Sequence, residues 1–107
     1  MNSWFLYLIR CKNGRLYTGI TTDVERRFEE HRSGKKKGSK YLRGKAPLKL
    51  VMKKKVGSRS MALKIEAKVK KLPKIKKELL VGGKIKIREI KRKIIDTVKK
   101  HRGISSQ

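Results

Sequence analysis

Two short apolar runs that carry aromatic residues, residues 4–9 and 16–20, flank Cys11-Lys12-Asn13-Gly14. Asn-Gly between such runs is a strong β-hairpin signal, because both residues enter the left-handed backbone region at little cost. Two loop lengths satisfy the signal. A two-residue loop, Asn13-Gly14, pairs Lys12 with Arg15 and sends Tyr7 and Tyr17 to opposite faces of the ribbon. A three-residue loop, with Gly14 in the left-handed region, pairs Cys11 with Arg15. It then sets Tyr7 opposite Gly19 and Tyr17 opposite Ile9, so both tyrosines share a face. The residues of the hairpin leave both registers open.

Beyond the hairpin the pattern changes from strand to helix. Thr22 and Glu25 have capping-box spacing and Asp23 suits a first turn, so a helix is expected from Thr22. Val24 and Phe28 give it a narrow apolar stripe, with Arg27 and His31 along one edge. Residues 33–39 read as a cationic loop, followed by a short helical turn at residues 40–42. Pro47 opens a third strand in which Leu48, Leu50 and Met52 alternate against Lys49, Val51 and Lys53. Gly57-Ser58-Arg59-Ser60 supplies turn and N-cap chemistry for a helix over about residues 60–72. Its expected buried face is Met61, Ala62, Ile65, Val69 and Leu72, with Glu66 at the margin of that face. Pro73 separates this helix from another that runs to Gly82-Gly83. Ile87, Ile90, Ile94, Ile95 and Val98 then have helical spacing up to a stop at Gly103, although residues 84–87 also alternate like a short strand. The mixture of strands and helices gives an α+β class. The expected organisation is a domain over residues 1–81 and a basic helical extension over 82–107, with a disordered tail after Gly103.

With 33 Lys and Arg against 8 Asp and Glu, the chain carries a formal charge of +25. Self-repulsion at this level favours a bound polyanion. DNA is the expected partner and RNA the alternative, since neutralising phosphates releases condensed counterions. The apolar residues are dispersed rather than gathered into one anchor, so a membrane surface fits less well. No apolar stretch is long enough for a transmembrane helix and no basic region precedes the first apolar run, which agrees with a cytoplasmic protein. Cys11 is the sole cysteine, so it has no disulfide partner within the chain. With His31 and His101 it makes no zinc framework. Oligomeric state is not encoded in any recognisable pattern.

The charge distribution singles out one residue. Residues 31–77 hold 16 Lys and 3 Arg but a single carboxylate, Glu66. A lone acid in a phosphate-binding surface either pairs with a neighbour, here Lys70 at i+4, or sits beside a cation that is not a side chain. The second alternative completes a phosphodiesterase set. One divalent cation, Mg²⁺ or Mn²⁺, on Glu66 would stabilise a leaving alkoxide. Arg27 offers paired donors and a fixed charge to a phosphate. Tyr17, assisted by Tyr7 or His31, would take the proton of an attacking water; a tyrosine, with an ordinary pKa of about 10, needs nearby cations to act as a base, and this chain has them in excess. Lys35, Lys36, Lys37, Lys40 and Arg43 are the expected phosphate-contacting cations. Each residue also has a plainer reading: tyrosines as hairpin packing, Arg27 and His31 as a solvated helix face.

Phe5-Leu6-Tyr7 followed by Tyr17-Thr18-Gly19 resembles the paired motif of the GIY-YIG nucleases, and residues 21–31 resemble their following helix. The resemblance runs from about residue 4 to residue 80. It is strongest to the small stand-alone YhbQ-like branch, and more distant to the nuclease domain of the UvrC repair subunit and to phage-type homing endonucleases. It implies a small three-stranded antiparallel sheet flanked by helices, and metal-dependent endonuclease cleavage of DNA in repair or processing. Tyr7 and Tyr17 would be the motif tyrosines, Arg27 the phosphate-binding arginine, His31 the helix histidine and Glu66 the metal ligand. Both tyrosines at one site require the three-residue loop. Phe5 stands where Gly is usual, and no Asn follows Asn13 to match the late Asn of better-studied members. A catalytically weak nucleic-acid-binding module of the same fold is therefore the alternative. Composition alone would also suit a small basic RNA-associated protein.

Overall fold

The computed structural model of the protein describes residues 3–34 and 37–105. Two strands form the hairpin, β1 (Trp4–Arg10) and β2 (Leu16–Thr21). Helix α1 (Val24–Arg32) and a single 3₁₀ turn (Lys40–Leu42) lead to strand β3 (Lys49–Gly57), and helices α2 (Arg59–Lys71), α3 (Lys74–Val81) and α4 (Ile87–Ser105) complete the chain. The sheet is antiparallel with the order β2-β1-β3, so the fold is the expected α+β.

The hairpin adopts the three-residue loop. Gly14, at φ 84°, donates to the Cys11 carbonyl at 2.9 Å, and the Cys11 N–H donates to Arg15 O at 2.9 Å. Tyr7 therefore stands opposite Gly19 and Ile9 opposite Tyr17.

As the central strand, β1 is buried on both faces. Leu6 and Leu8 point into a core made with Ala62, Ile65 and Val69 of α2, Leu80 of α3, and Ile87 and Ile94 of α4. Tyr7, Ile9 and Cys11 point the other way, against Val24 of α1 and Leu42 of the 3₁₀ turn. The C-terminal helix thus shares the main core, and Lys91 Nζ fastens it to the Val56 carbonyl at 3.1 Å. Arg10 ties the end of β1 to α3 through two hydrogen bonds to the Glu78 carboxylate, at 2.6 and 2.7 Å.

Several expectations are corrected. Asp23, not Thr22, caps α1: its side chain accepts from the Arg26 N–H at 3.1 Å, while Thr21 Oγ1 accepts from the Asp23 N–H at 3.2 Å. The Thr21 hydroxyl thereby fixes the extended entry one residue later than a Thr22-Glu25 capping box would. In β3 the simple alternation fails at a register shift opposite Leu8 and Ile9, which face Met52 and Leu50. Skipping one residue throws Leu48 and Leu50 onto the α1 side and Val51 and Met52 onto the α2 side. A bulge of this kind lets one edge strand feed both cores. β3 continues through Lys53, Lys54 and Lys55, cations that discourage further pairing at a sheet edge. Helix α2 begins at Arg59 behind Ser58, whose Oγ accepts from Met61 N–H at 3.1 Å. Its buried residues are Ala62, Ile65 and Val69, with Met61 and Leu72 half-buried. α4 passes through Gly103 to Ser105 rather than stopping there, and residues 84–86 form no strand. The tail expected after Gly103 is helical to Ser105, and its last residues, 106–107, lie outside the described residues.

If Asp23 is the cap, Asp23→Ala should lower the unfolding free energy by about 1 kcal/mol, whereas Thr22→Ala should leave it nearly unchanged. Urea denaturation of the two variants separates the assignments.

Candidate nuclease site

The hairpin register builds the floor of the site. Tyr7 lies across Gly19 on the adjacent strand, and a Cβ at Gly19 would collide with the Tyr7 ring and hydroxyl. Glycine is required here for space, with the aromatic ring covering the gap it leaves in the strand. Tyr17 stands on the same face, its ring centroid 6.4 Å from that of Tyr7.

Helix α1 brings two more groups to these rings. His31 is buried, 3 % exposed, and its Nε2 lies 2.9 Å from the Tyr7 hydroxyl oxygen. Its Nδ1 accepts from the Ser39 backbone N–H at 3.0 Å. A backbone N–H can only donate, so the neutral ring carries its proton on Nε2 and donates it to Tyr7. Burial, reinforced by the Arg27 charge and opposed by Glu30, holds the His31 pKa down at about 4. His31 is therefore a neutral donor to Tyr7 near neutral pH. Burial also pushes the Tyr7 phenol well above its usual range. Tyr17 and Glu66 push the same way, while the Arg27 charge and hydrogen bond oppose them.

Arg27 is half-buried beside the Tyr7 hydroxyl. Its Nη1 donates to Glu30 Oε1 at 2.9 Å and to the Lys37 carbonyl. Glu66 approaches from α2, which packs against β1 and β2, and its carboxylate is close enough to act on Tyr7. It is the margin residue that the helical spacing predicts, 19 % exposed in its side chain. The i,i+4 alternative is also realised: Lys70 Nζ lies 3.5 Å from Glu66 Oε2. Tyr7, Tyr17, Arg27 and His31 thus come together from β1, β2 and α1, and Glu66 of α2 acts on Tyr7 through its charge.

The expected phosphate contacts are less uniform. Lys37, Lys40 and Arg43 are exposed around the loop and the 3₁₀ turn, and Lys35 and Lys36 lie outside the described residues. Three residues of the site escaped the sequence reading. Gly38 lets the loop press on the end of α1, where a Cβ would meet the Glu30 carbonyl at 2.6 Å. That approach places Ser39 on His31. Tyr41 stacks on Tyr17, with centroids 5.9 Å apart and 23° between planes. An exposed aromatic among cations was its only advance signal.

Glu66 is the carboxylate that would hold a divalent cation here. Among the described residues no group of three or more His, Cys, Asp or Glu converges on a point. Mg²⁺ and Mn²⁺ accept that arrangement, since one carboxylate can be completed by waters and substrate phosphate oxygens. The donor set fits those ions and not zinc.

A three-stranded sheet whose paired tyrosines meet an arginine, a histidine and a glutamate is the architecture of a nuclease superfamily. The model of the GIY-YIG catalytic domain matches residues 3–78, and the chain belongs to that family. It is 55 % identical over 91 residues to a UPF0213 protein of Cronobacter sakazakii, covering 85 % of this chain and 94 % of that one. It is 59 % identical over 82 residues to the UPF0213 protein YhbQ of Escherichia coli K12, covering 77 % and 80 %. A solution NMR structure of a UPF0213 protein from Bacillus halodurans is similar at 45 % identity with a TM-score of 0.49, over 75 % of this chain and 83 % of that one. Among the described residues no helix is long and apolar enough to cross a membrane.

Two measurements test the site's construction. Unfolded His31 takes up a proton near pH 6.5, whereas the folded ring resists until about pH 4. The unfolded state binds more protons between these values, so stability that is complete above pH 6.5 declines as the pH falls toward 4. The loss attributable to His31 should reach up to roughly 3 kcal/mol, and His31→Gln should remove that part of the pH dependence in denaturation series. Separately, Gly19→Ala should destabilise the fold by about 1–3 kcal/mol and shift the Tyr7 ring resonances in NMR spectra.

Proposed function

We propose that this protein is an endonuclease that hydrolyses DNA phosphodiesters with Mg²⁺ or Mn²⁺, in repair or processing. The observation that supports the reading is the clustering of Tyr7, Tyr17, Arg27 and His31 from β1, β2 and α1, with Glu66 of α2 acting on Tyr7 through its charge. Arg27 binds the scissile phosphate, steadied by Glu30 and the Lys37 carbonyl. Tyr17, in its phenolate form, takes the proton from a water whose oxygen bonds to phosphorus as the leaving oxygen departs. Tyr17 suits this role better than Tyr7. It is less buried, and Lys70 and Lys77 line the surface beside it. Tyr7 is a positioning residue, its oxygen held by His31 and its ring by Gly19. Glu66 holds the divalent cation, which when bound supplies charge neutralisation for the phosphate and the leaving alkoxide.

The contact between Lys70 and Glu66 favours a second reading, a DNA- or RNA-binding module of the same fold without metal chemistry. Cleavage of single-stranded, nicked and branched DNA with Mg²⁺ or Mn²⁺ decides between them. The wild type should cut, and Glu66→Ala should lose about 100-fold or more in rate while still binding DNA. Equal cleavage by both proteins would remove the metal role from Glu66. Salt-sensitive binding with no cleavage by either would establish the binding module.

A further inference from the structure

Tyr41 is not accounted for by the chemistry above. Leu42 is 2 % exposed and anchors the 3₁₀ turn in the core, yet its neighbour Tyr41 leaves 42 % of its surface open. The ring is nevertheless held in a defined position. It stacks on Tyr17, and the Lys45 ammonium lies over it at 4.3 Å from the centroid. Lys40 and Arg43 flank it in sequence and are exposed. Beside it a shallow depression of about 260 Å³ is lined by Leu16, Tyr17, Thr18, Tyr41, Lys70 and Lys77. A neighbouring depression adds Arg15 and Lys74. No carboxylate lines either one. Thr18 contributes a further feature: its buried Oγ1 has no hydrogen-bond partner among the described residues.

An exposed aromatic stacked on Tyr17, beside depressions lined by several cations and no carboxylate, has the properties of a nucleobase platform. Every base offers a π-face, and aromatic stacking with backbone neutralisation is the common chemistry of single-strand binding. A base within a duplex is already stacked on both sides and cannot use such a surface. The Lys45 ammonium covers the ring at present, but its flexible stem lets it swing onto a phosphate when a base arrives. We propose that Tyr41 stacks an unpaired DNA base next to the scissile phosphate, making single-stranded or locally unpaired DNA the preferred substrate class. The inference rests on the endonuclease reading for the word substrate, while the base platform itself is tested by binding alone.

The test measures equilibrium binding in EDTA, where no metal-dependent cleavage occurs, at one fixed salt concentration. The probes are a single-stranded oligonucleotide carrying 2-aminopurine and the same sequence as a blunt duplex. Tyr41→Ala should weaken single-strand binding by about 5- to 150-fold and abolish the 2-aminopurine quenching, while duplex affinity stays within about twofold. Tyr41→Phe, which keeps the ring, should bind and quench like the wild type, and thermal melting of both variants verifies that they are folded. Equal weakening on both probes, or no weakening on either, would overturn the platform and leave Tyr41 a packing residue. Either of those results leaves the cleavage assays with Glu66→Ala unaffected. Conversely, a protein that cuts nothing but shows the single-strand effect retains the platform and loses the nuclease reading.

Discussion

Tyr7 lies across Gly19, and the positions of the other site residues follow from that contact. It exists in one register of the hairpin, the one Gly14 permits by taking φ 84° at the end of a three-residue loop. A slip of one residue would exchange the faces of β2 and carry Tyr17 away from Tyr7. With the register fixed, the tyrosine face of the sheet becomes the surface on which α1 packs. Val24 enters the core beneath it, and seven residues later, two helical turns on, His31 reaches the Tyr7 oxygen. The loop after α1 is then constrained at both ends of the same group. Ser39 holds His31 from one side, and the Lys37 carbonyl holds Arg27 from the other.

Electrostatics sets a second constraint, because only 8 carboxylates stand against 33 cations. Long-range repulsion is unavoidable, and the acids act locally. Glu78 joins α3 to Arg10 of β1, Glu30 aligns Arg27, Glu25 meets Lys53 on β3, and Asp23 serves as a cap. Exposed pairs contribute little each, typically a few tenths of a kcal/mol. Their value here is geometric: they fix the direction of a few cations in a surface that would otherwise be isotropically positive. A polyanion then meets an ordered Arg27 within a basic field, which favours both fast encounter and a defined register of the phosphate.

Strands and helices were legible in the sequence because their signals are local. Asn13-Gly14, Ser58, Pro73 and the isoleucine spacing of α4 each act over one or two turns of chain. The bulge in β3 was not legible, since Val51 and Met52 are both apolar and nothing local says which core each will enter. It follows from β1 being buried on both faces, a tertiary demand. The cap of α1 was displaced by one residue for a similar reason: Thr22 and Asp23 are both competent, and the Thr21 hydroxyl decides between them. Tyr7, Tyr17, Arg27 and His31 do lie together, and Glu66 reaches Tyr7 through its charge. Their division of labour was less accessible, because the protonation of His31 is dictated by a backbone N–H eight residues away across a Lys- and Gly-rich loop. Read as sequence, that loop looked merely cationic. Its Gly38 instead serves close approach.

Glu66 pairs with Lys70 and also acts on Tyr7 through its charge. Its carboxylate is mostly covered, while Lys70, its ion-pair partner, is 57 % exposed. Such a pair is worth about 0.3–0.5 kcal/mol and breaks readily, so the fold does not depend on it. What depends on Glu66 is the field at Tyr7, where its negative charge opposes ionisation and Arg27 favours it. Burial and the neighbouring Tyr17 oppose ionisation of Tyr7 more strongly than Glu66 does, so the acid adjusts a proton affinity that packing sets. The isolated acid of the sequence is thus bound loosely to its lysine and acts on Tyr7 through space.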